Sequence, residues 1–283
     1  MNSGITVVLT AFKRVESLAE QLAAIKKQSI IPEEIWLFQD KVVGNYTITI
    51  DENLLAEFDN VYIAKENVGV WGRFDYARRA KTEYICIFDD DTIPGSRWLE
   101  NCMTHMQEQE GVYGTIGVVF LDPEKYTKGG HYRIGWDRPN ETTKEVDLVG
   151  HSWFLKREWL EYMFNDTAKY AKYKYAAEDM SLSFACLKHN IHTYVPPHPP
   201  LELDFWGSQP DSAMTLGNAS VALSKGKNNT VMNEAATELV NEGWNILIKR
   251  DAQYVKKGWK KEKRNRWKER WIIIKTIVKM ILR

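Results

Sequence analysis

The sequence has no apolar run long enough to cross a membrane; near the C-terminus the longest, from Trp271 to Ile274, falls far short of the roughly 20 residues a spanning helix needs. No basic-then-apolar leader is expected either, because Ile5 already opens a strand-like run. Cysteine is scarce. Cys86, Cys102 and Cys186 are odd in number, lack metal-ligand spacing and sit in apolar stretches, which excludes a disulfide framework and favours a reducing compartment. Proline (9) and glycine (17) are too few in 283 residues for a collagenous or low-complexity chain. What is present, 44% hydrophobic and 27% charged residues, is the make-up of a folded protein: one large α/β domain with an appendage, or two small domains.

Net charge is zero overall but unevenly spread. Residues 256–283 carry twelve Lys or Arg against two Glu, so the rest of the chain is acidic by the same ten charges. Within 254–283, Trp267, Trp271, Ile274, Val278 and Ile281 recur at helical spacing with basic residues around them. Such a helix suits a membrane interface carrying anionic headgroups. Nucleic acid fits less well, because phosphate contacts would leave the apolar stripe exposed; docking onto another protein is the remaining alternative.

The first 120 residues alternate strand and helix. ITVVLT (5–10), EIWLFQD (34–40), VYIA (61–64) and YICIF (84–88) read as strands, with helices over 16–27, 72–80 and 97–109. This predicts right-handed βαβ crossovers in a doubly wound, mostly parallel sheet that binds ligands beyond the carboxyl ends of its strands. Further on, 113–120, 146–155 and 191–195 read as strands and 177–190 as a helix; 207–230 is small, polar and weakly patterned, as in a loop or lid.

The most informative motif is FDDDT (88–92). Three consecutive carboxylates at a buried strand end repel one another unless a cation or a ring of donors compensates them. Asp89 and Asp91 point to one side of a strand and can share a hard divalent ion such as Mn²⁺ or Mg²⁺. A solvated turn capping the next helix is the plainer reading.

The order ITVVLTAFKR, IWLFQD, ENVGVWGRF, YICIFDDDTIPGSRWLENC, VDLVGHSWFLKREWL and AAEDMSLSFACLKH resembles a glycosyltransferase of the GT-A fold over about residues 5–200. GRFDYARRAKTEYICIFDDDT, EVDLVGHSWF and EDMSLSFACLKH more narrowly resemble the exostosin-like hexosaminyl and glucuronyl transferases. The resemblance implies a Rossmann-like, mostly parallel central sheet flanked by helices. It implies a catalytic domain, taken as 1–206; patterning and charge set apart a loop or lid with a helical extension over 207–253 and a basic amphipathic tail over 254–283.

The resemblance also implies roles. Asp91 and Asp89 would bind the metal, with Asp89 and Asp90 contacting the donor. Thr10, Phe12, Lys13 and Arg14 after the first strand would hold the nucleotide, unless Lys13 and Arg14 are surface charges. Asp40 at the end of the second strand would meet uracil, making UDP the favoured carrier. Asn67 and Arg73, in a segment similar to both family 2 and exostosin-like enzymes, would approach the donor; otherwise Arg73 pairs with Asp75 or Glu66. Asp179 is the catalytic candidate and Glu178 the second, although first-turn acids also complement the helix dipole. His198, in PPHPP, is a possible third metal ligand or an ordinary loop histidine. Trp136, Trp153 and Trp206 are candidate platforms for the sugar acceptor, although most aromatic residues are core.

The expected activity is transfer of a sugar from a UDP-linked donor to a glycan or lipid-linked saccharide at the cytoplasmic membrane face. Processive export is disfavoured by the absence of QxxRW. The missing Golgi anchor of animal exostosin-like enzymes points to a bacterial or viral source. A sugar nucleotidyltransferase would need a glycine-rich loop that TAFKR lacks; a catalytically dead glycan-binding module is the other rival.

Overall fold

The structure, a computed structural model, describes residues 4–42, 48–126, 129–136, 138–210, 215–216 and 228–264. Eleven strands form two sheets among these residues: β1 (Ile5–Ala11), β2 (Glu34–Gln39), β3 (Asn60–Ile63), β4 (Tyr84–Phe88), β5 (Gly111–Tyr113), β6 (Ile116–Phe120), β7 (His131–Gly135), β8 (Lys144–Val146), β9 (Leu148–Gly150), β10 (Ser152–Lys156) and β11 (His192–Val195). The large sheet runs β3-β2-β1-β4-β10-β5-β11-β8, and a small one runs β7-β6-β9. Pairings from β3 to β4 are all parallel, and antiparallel β10 joins β4 to β5. The expected mixed α/β architecture, with helices flanking a mostly parallel central sheet, is present.

Every residue of β1 is buried, which explains a run with no polar alternation. Helix α1 (Leu18–Lys26) buries Leu18, Leu22 and Ile25 against the sheet before β2 returns parallel to β1. A one-turn helix, α2 (Glu52–Leu55), capped by the Asp51 side chain, precedes β3; α3 (Gly72–Ala77) precedes β4, and α4 (Trp98–Glu108) follows the acidic triplet. Because β2 and β3 lie on one side of β1 and β4 on the other, the order in which strands are added reverses between the parallel strands β1 and β4. The crevice there is the ligand position of such sheets.

Two stretches that read as single strands are each divided between the sheets. Residues 113–120 break at Gly114 and Thr115; residues 146–155 break at His151, whose backbone is left-handed at φ 64°. A β-carbon on Gly114 would lie 2.5 Å from the Val149 β-carbon, so only glycine permits that crossing. Helix α5 (Leu160–Asp166) then leads to α6 (Glu178–Lys188), which packs on the inner end of β9.

Of the segment expected as a loop or lid with a helical extension, the helix Asn228–Asn241 and its successor Leu247–Arg250 are described. Ala235, Leu239, Trp244, Ile246 and Leu247 are buried in the same hydrophobic core as β6 and α6. Buried Asp147 accepts the backbone N–H of Phe120 on one oxygen (2.8 Å) and of Leu247 on the other (2.6 Å), tying that extension to β6. The amphipathic stripe from Trp267 to Ile281 lies outside the described residues; the tail's first part is a helix over 252–264. All three cysteines are free and buried, and among the described residues no helix is long and apolar enough to cross a membrane.

Candidate active site

The triplet leaves β4 into the crevice, and its backbone is clamped from α1. Ser17 donates to the Asp90 carbonyl (2.8 Å), and Gln21 donates through one amide nitrogen to the carbonyls of Asp89 (2.8 Å) and Thr92 (2.7 Å). Neither residue was expected from the sequence, where both are merely polar positions on an amphipathic helix. Two arginines answer the carboxylates. Arg14, just beyond β1, meets Asp90 at 2.5 Å and Asp91 at 3.2 Å. Arg73, on α3, meets Asp89 at 2.9 Å and Glu178 at 2.7 Å, with its guanidinium over the Trp153 ring. It does not pair with Asp75, which Arg78 takes.

The third member of the metal-ligand group is His151. Its Nδ1 lies 3.0 Å from Asp91 Oδ1 and 4.0 Å from Asp89 Oδ2, and one ligand atom from each of Asp89, Asp91 and His151 falls within 4.8 Å of the others. The reading of His198 as third ligand is therefore corrected. His198 is fully buried between Trp98 and Trp206; its Nδ1 faces the Pro196 carbonyl at 2.9 Å and its Nε2 accepts from the Gly207 N–H. Burial holds its imidazole at about 4, consistent with a neutral packed ring.

Three residues in left-handed backbone conformation surround the group. Trp136 (φ 67°) follows β7 and lays its ring on His151 at 3.9 Å; His151 sits between β9 and β10; Ala177 (φ 66°) precedes α6. Such strain in residues with a β-carbon concentrates where side chains must be aimed. At Ala177 it turns the chain so that Glu178 and Asp179 open α6 beside Arg73, where the helix dipole favours negative charge.

Asp91 differs from the other buried acids in proton affinity. Burial pushes Asp91 up, but His151, by charge and hydrogen bond, together with Arg14 outweighs it and holds the carboxyl at about 2. Burial raises Asp89, with Arg73 opposing. Glu178 is pushed up by burial against the pull of Arg73, and Asp179 rises to about 6, mainly by burial, with the Met180 N–H and Arg73 opposing. Asp91 raises His151 in turn against the opposite effect of its burial.

Five carboxyl groups thus face two guanidiniums and one imidazole, and Asp89, Glu178 and Asp179 are pushed toward their protonated forms, a tendency that a dication beside them would reverse. Two carboxylates with one imidazole fit Mn²⁺ and, less closely, Mg²⁺.

Several expected contacts have other uses. The Thr10 hydroxyl donates to the Phe88 carbonyl (2.8 Å), stitching β1 to β4 rather than facing a donor. Asp40 accepts from the backbone of Lys41, Val68 and Gly69 and from the Asn67 amide, all within 3.0 Å. Those four bonds fill its acceptor positions and organise the 67–69 turn, so a uracil imide would have to displace one of them. Asn67 also donates to the Lys41 carbonyl, while its Oδ1 is buried without a hydrogen-bond partner. Lys13 lies over the Phe12 ring.

Trp153 and Trp206 are core residues, not acceptor platforms. Each is at most 3% exposed, with its indole N–H given to the carbonyl of Val149 or Pro199. Trp153 lies beneath the Arg73 guanidinium, and of the three tryptophans Trp136 alone stacks on a residue of the Asp89, Asp91 and His151 group.

The family model for glycosyl transferase family 2 matches residues 6–164, more than half of the chain. No curated protein matches it. The solved structure of S. aureus TarS 1–349 is similar at 15% identity and a TM-score of 0.45, over 70% of this chain and 60% of that one. The chain thus spans about 60% of the length of that solved chain.

Proposed function

The chain belongs to glycosyl transferase family 2, and from that premise we propose that it is a metal-dependent glycosyltransferase acting on a nucleotide sugar. The observation that carries the reading is the Asp89, Asp91 and His151 group, its ligand atoms within 4.8 Å of one another at the β1/β4 crevice, linked by Arg73 to Glu178 and Asp179. Asp89, Asp91 and His151 would hold Mn²⁺ or Mg²⁺. That ion supplies Lewis-acid stabilisation of a diphosphate leaving group, worth several kcal/mol.

The chain's own residues divide the remaining work. Arg14 and Arg73 bring positive charge to the mouth where a diphosphate would lie. Asp179 takes the proton of the acceptor hydroxyl as that oxygen bonds to the anomeric carbon and the carbon–oxygen bond to the diphosphate breaks. Glu178, paired with Arg73, fixes the guanidinium. Trp136 offers its ring to the apolar C–H face of an acceptor sugar.

UDP is the favoured nucleotide, on the strength of the resemblance, with the uracil imide displacing one of the four donors that Asp40 now holds. Hexosyl or hexosaminyl transfer follows from the exostosin-like resemblance. The acceptor is a glycan or lipid-linked saccharide, reached at the cytoplasmic face of a membrane to which residues 254–283 attach the protein. Catalysis is assigned to 1–206, with 207–253 as loop and helical extension.

A panel of nucleotide sugars with and without Mn²⁺, read by thermal protection and by hydrolysis of the sugar–phosphate bond, tests this reading. At least one UDP-sugar should protect only with the metal. Equal behaviour of all nucleotides with and without metal would sink it.

A further inference from the structure

Asp40 directly follows β2, and its carboxylate holds a loop that has no strand or helix of its own between Ile63 and Gly72. The Val68 N–H donates to one carboxylate oxygen (2.9 Å), and the Gly69 N–H (3.0 Å) and the Asn67 amide (2.9 Å) donate to the other. With the Lys41 N–H, that makes four donors on a buried carboxylate, enough to offset the loss of its water. Three of the four belong to the loop.

The other side of this loop rests on the segment that leads into α6. The Val70 N–H donates to the Lys174 carbonyl (3.0 Å). Gly69, left-handed at φ 75°, lies so close that a β-carbon there would overlap the same carbonyl oxygen. Three residues after Lys174 comes Ala177, whose left-handed turn opens α6 at Glu178 and Asp179. The loop closes into α3 through the Gly72 N–H on the Gly69 carbonyl (3.2 Å), and the next residue, Arg73, reaches Asp89 and Glu178. A β-carbon on Gly72 would lie 2.7 Å from the Phe38 ring, so this turn also sits tight on β2. Residues 67–73 therefore bridge the end of β2 to the charged centre of the site: Arg73 is carried on them, and the approach to the two acids is bonded to their back.

We propose that Asp40 is a positioning residue for Arg73, Glu178 and Asp179, acting through the loop at 67–70 and the Lys174 carbonyl. This deepens the donor reading and rests on it for its kinetic consequence: the group expected to meet the base also keeps the acids at the head of α6 in register. A carboxylate suits the task because each oxygen accepts two bonds, whereas an amide would turn an NH₂ group toward N–H donors already in place. The leverage is large, since misplacing a reacting group by about 1 Å costs on the order of a hundredfold in rate.

Hydrogen exchange of the full chain, read by mass spectrometry, tests the placement without any donor. In Asp40→Asn the amides of 67–73 and of 174–179 should both exchange roughly tenfold faster than in wild type, while those of β4 stay as protected as before. Gly69→Ala leaves the carboxylate untouched but forces the loop off Lys174, and should loosen the same two segments. Kinetics on a nucleotide sugar that is turned over supply the second readout: each variant should lower kcat about ten- to a hundredfold, and Gly69→Ala should leave the donor KM within about threefold. Mn²⁺ affinity, measured by calorimetry, should be kept in both, because Asp89, Asp91 and His151 lie outside the loop.

Faster exchange at 67–70 with 174–179 as in wild type overturns the proposal. So does a donor KM raised by Asp40→Asn at unchanged kcat, with Gly69→Ala altering neither, which would leave Asp40 as a contact for the base alone. Loss of Mn²⁺ binding together with faster exchange throughout the sheet in both variants would make Asp40 a general stabiliser and overturns it as well. If no nucleotide sugar is turned over, the proposed function fails, and exchange at 174–179 still decides whether Asp40 positions the head of α6.

Discussion

Asp91 at the end of β4 and Asp179 at the head of α6 are the same chemical group, both buried in one crevice, yet they hold protons very differently. Asp91 stays at about 2 because His151 and Arg14 crowd it with positive charge, whereas Asp179 rises to about 6 with less compensation. The difference teaches how one crevice can hold both a carboxylate that stays ionised, as the proposed cation site requires, and one poised to take a proton near neutrality, as the proposed base requires. Arg73 touches both sets and keeps them in one electrostatic unit.

Removing the proton acceptor breaks the comparison most severely. Asp179→Asn should lower kcat about a thousandfold in a transfer assay while leaving metal-dependent thermal protection by the donor intact. Asp91→Asn acts on the other arm: turnover should fall a few hundredfold, of the order seen when a principal electrostatic stabiliser is lost, and protection by donor plus Mn²⁺ should vanish with it. His151→Ala sharpens the assignment of the third ligand, with Mn²⁺ affinity, measured by calorimetry, weakened roughly ten- to a hundredfold. His198→Ala should leave Mn²⁺ affinity unchanged and lower the thermal midpoint instead, since that ring is core.

The pH profile separates the two sets without mutation. In the proposed mechanism Asp179 works ionised and its proton leaves at about 6, so activity should be lost on the acid side. Measured log kcat/KM should fall about one unit for each pH unit below that value and be level above it. An Asp91-controlled profile would instead stay flat down to far lower pH. The smallest effect is at the rim, where Trp136→Ala should raise the acceptor KM about fivefold with kcat nearly unchanged, as expected for loss of one ring contact of about 1 kcal/mol.

The β1/β4 crevice and its acidic triplet were legible because their information is local. ITVVLT and YICIF are buried on both faces and need no partner to be read as strands, and three carboxylates directly after such a run already demand compensation. Arg73 and the Glu178–Asp179 pair were found through family resemblance. His151 was not found, because VDLVGHSWFL reads as one strand and nothing in it marks a change of sheet; its ligand position exists only once β9 and β10 part. Trp153, Trp206 and His198 failed for a related reason. Loop-like flanks and prolines do not tell whether another segment covers the ring, and here Trp206 and Trp98 enclose His198. Thr10 and Asp40 sit where expected, but neighbouring backbone groups have claimed their hydrogen bonds.

Ala177 also bears on engineering. An alanine held in a conformation that glycine adopts freely is a reservoir from which hardiness can be drawn, so Ala177→Gly is a natural candidate in any library screened for heat tolerance. The same swap would loosen the aim of the two acids that follow it, and a screen that rewarded survival alone would select robust, sluggish descendants.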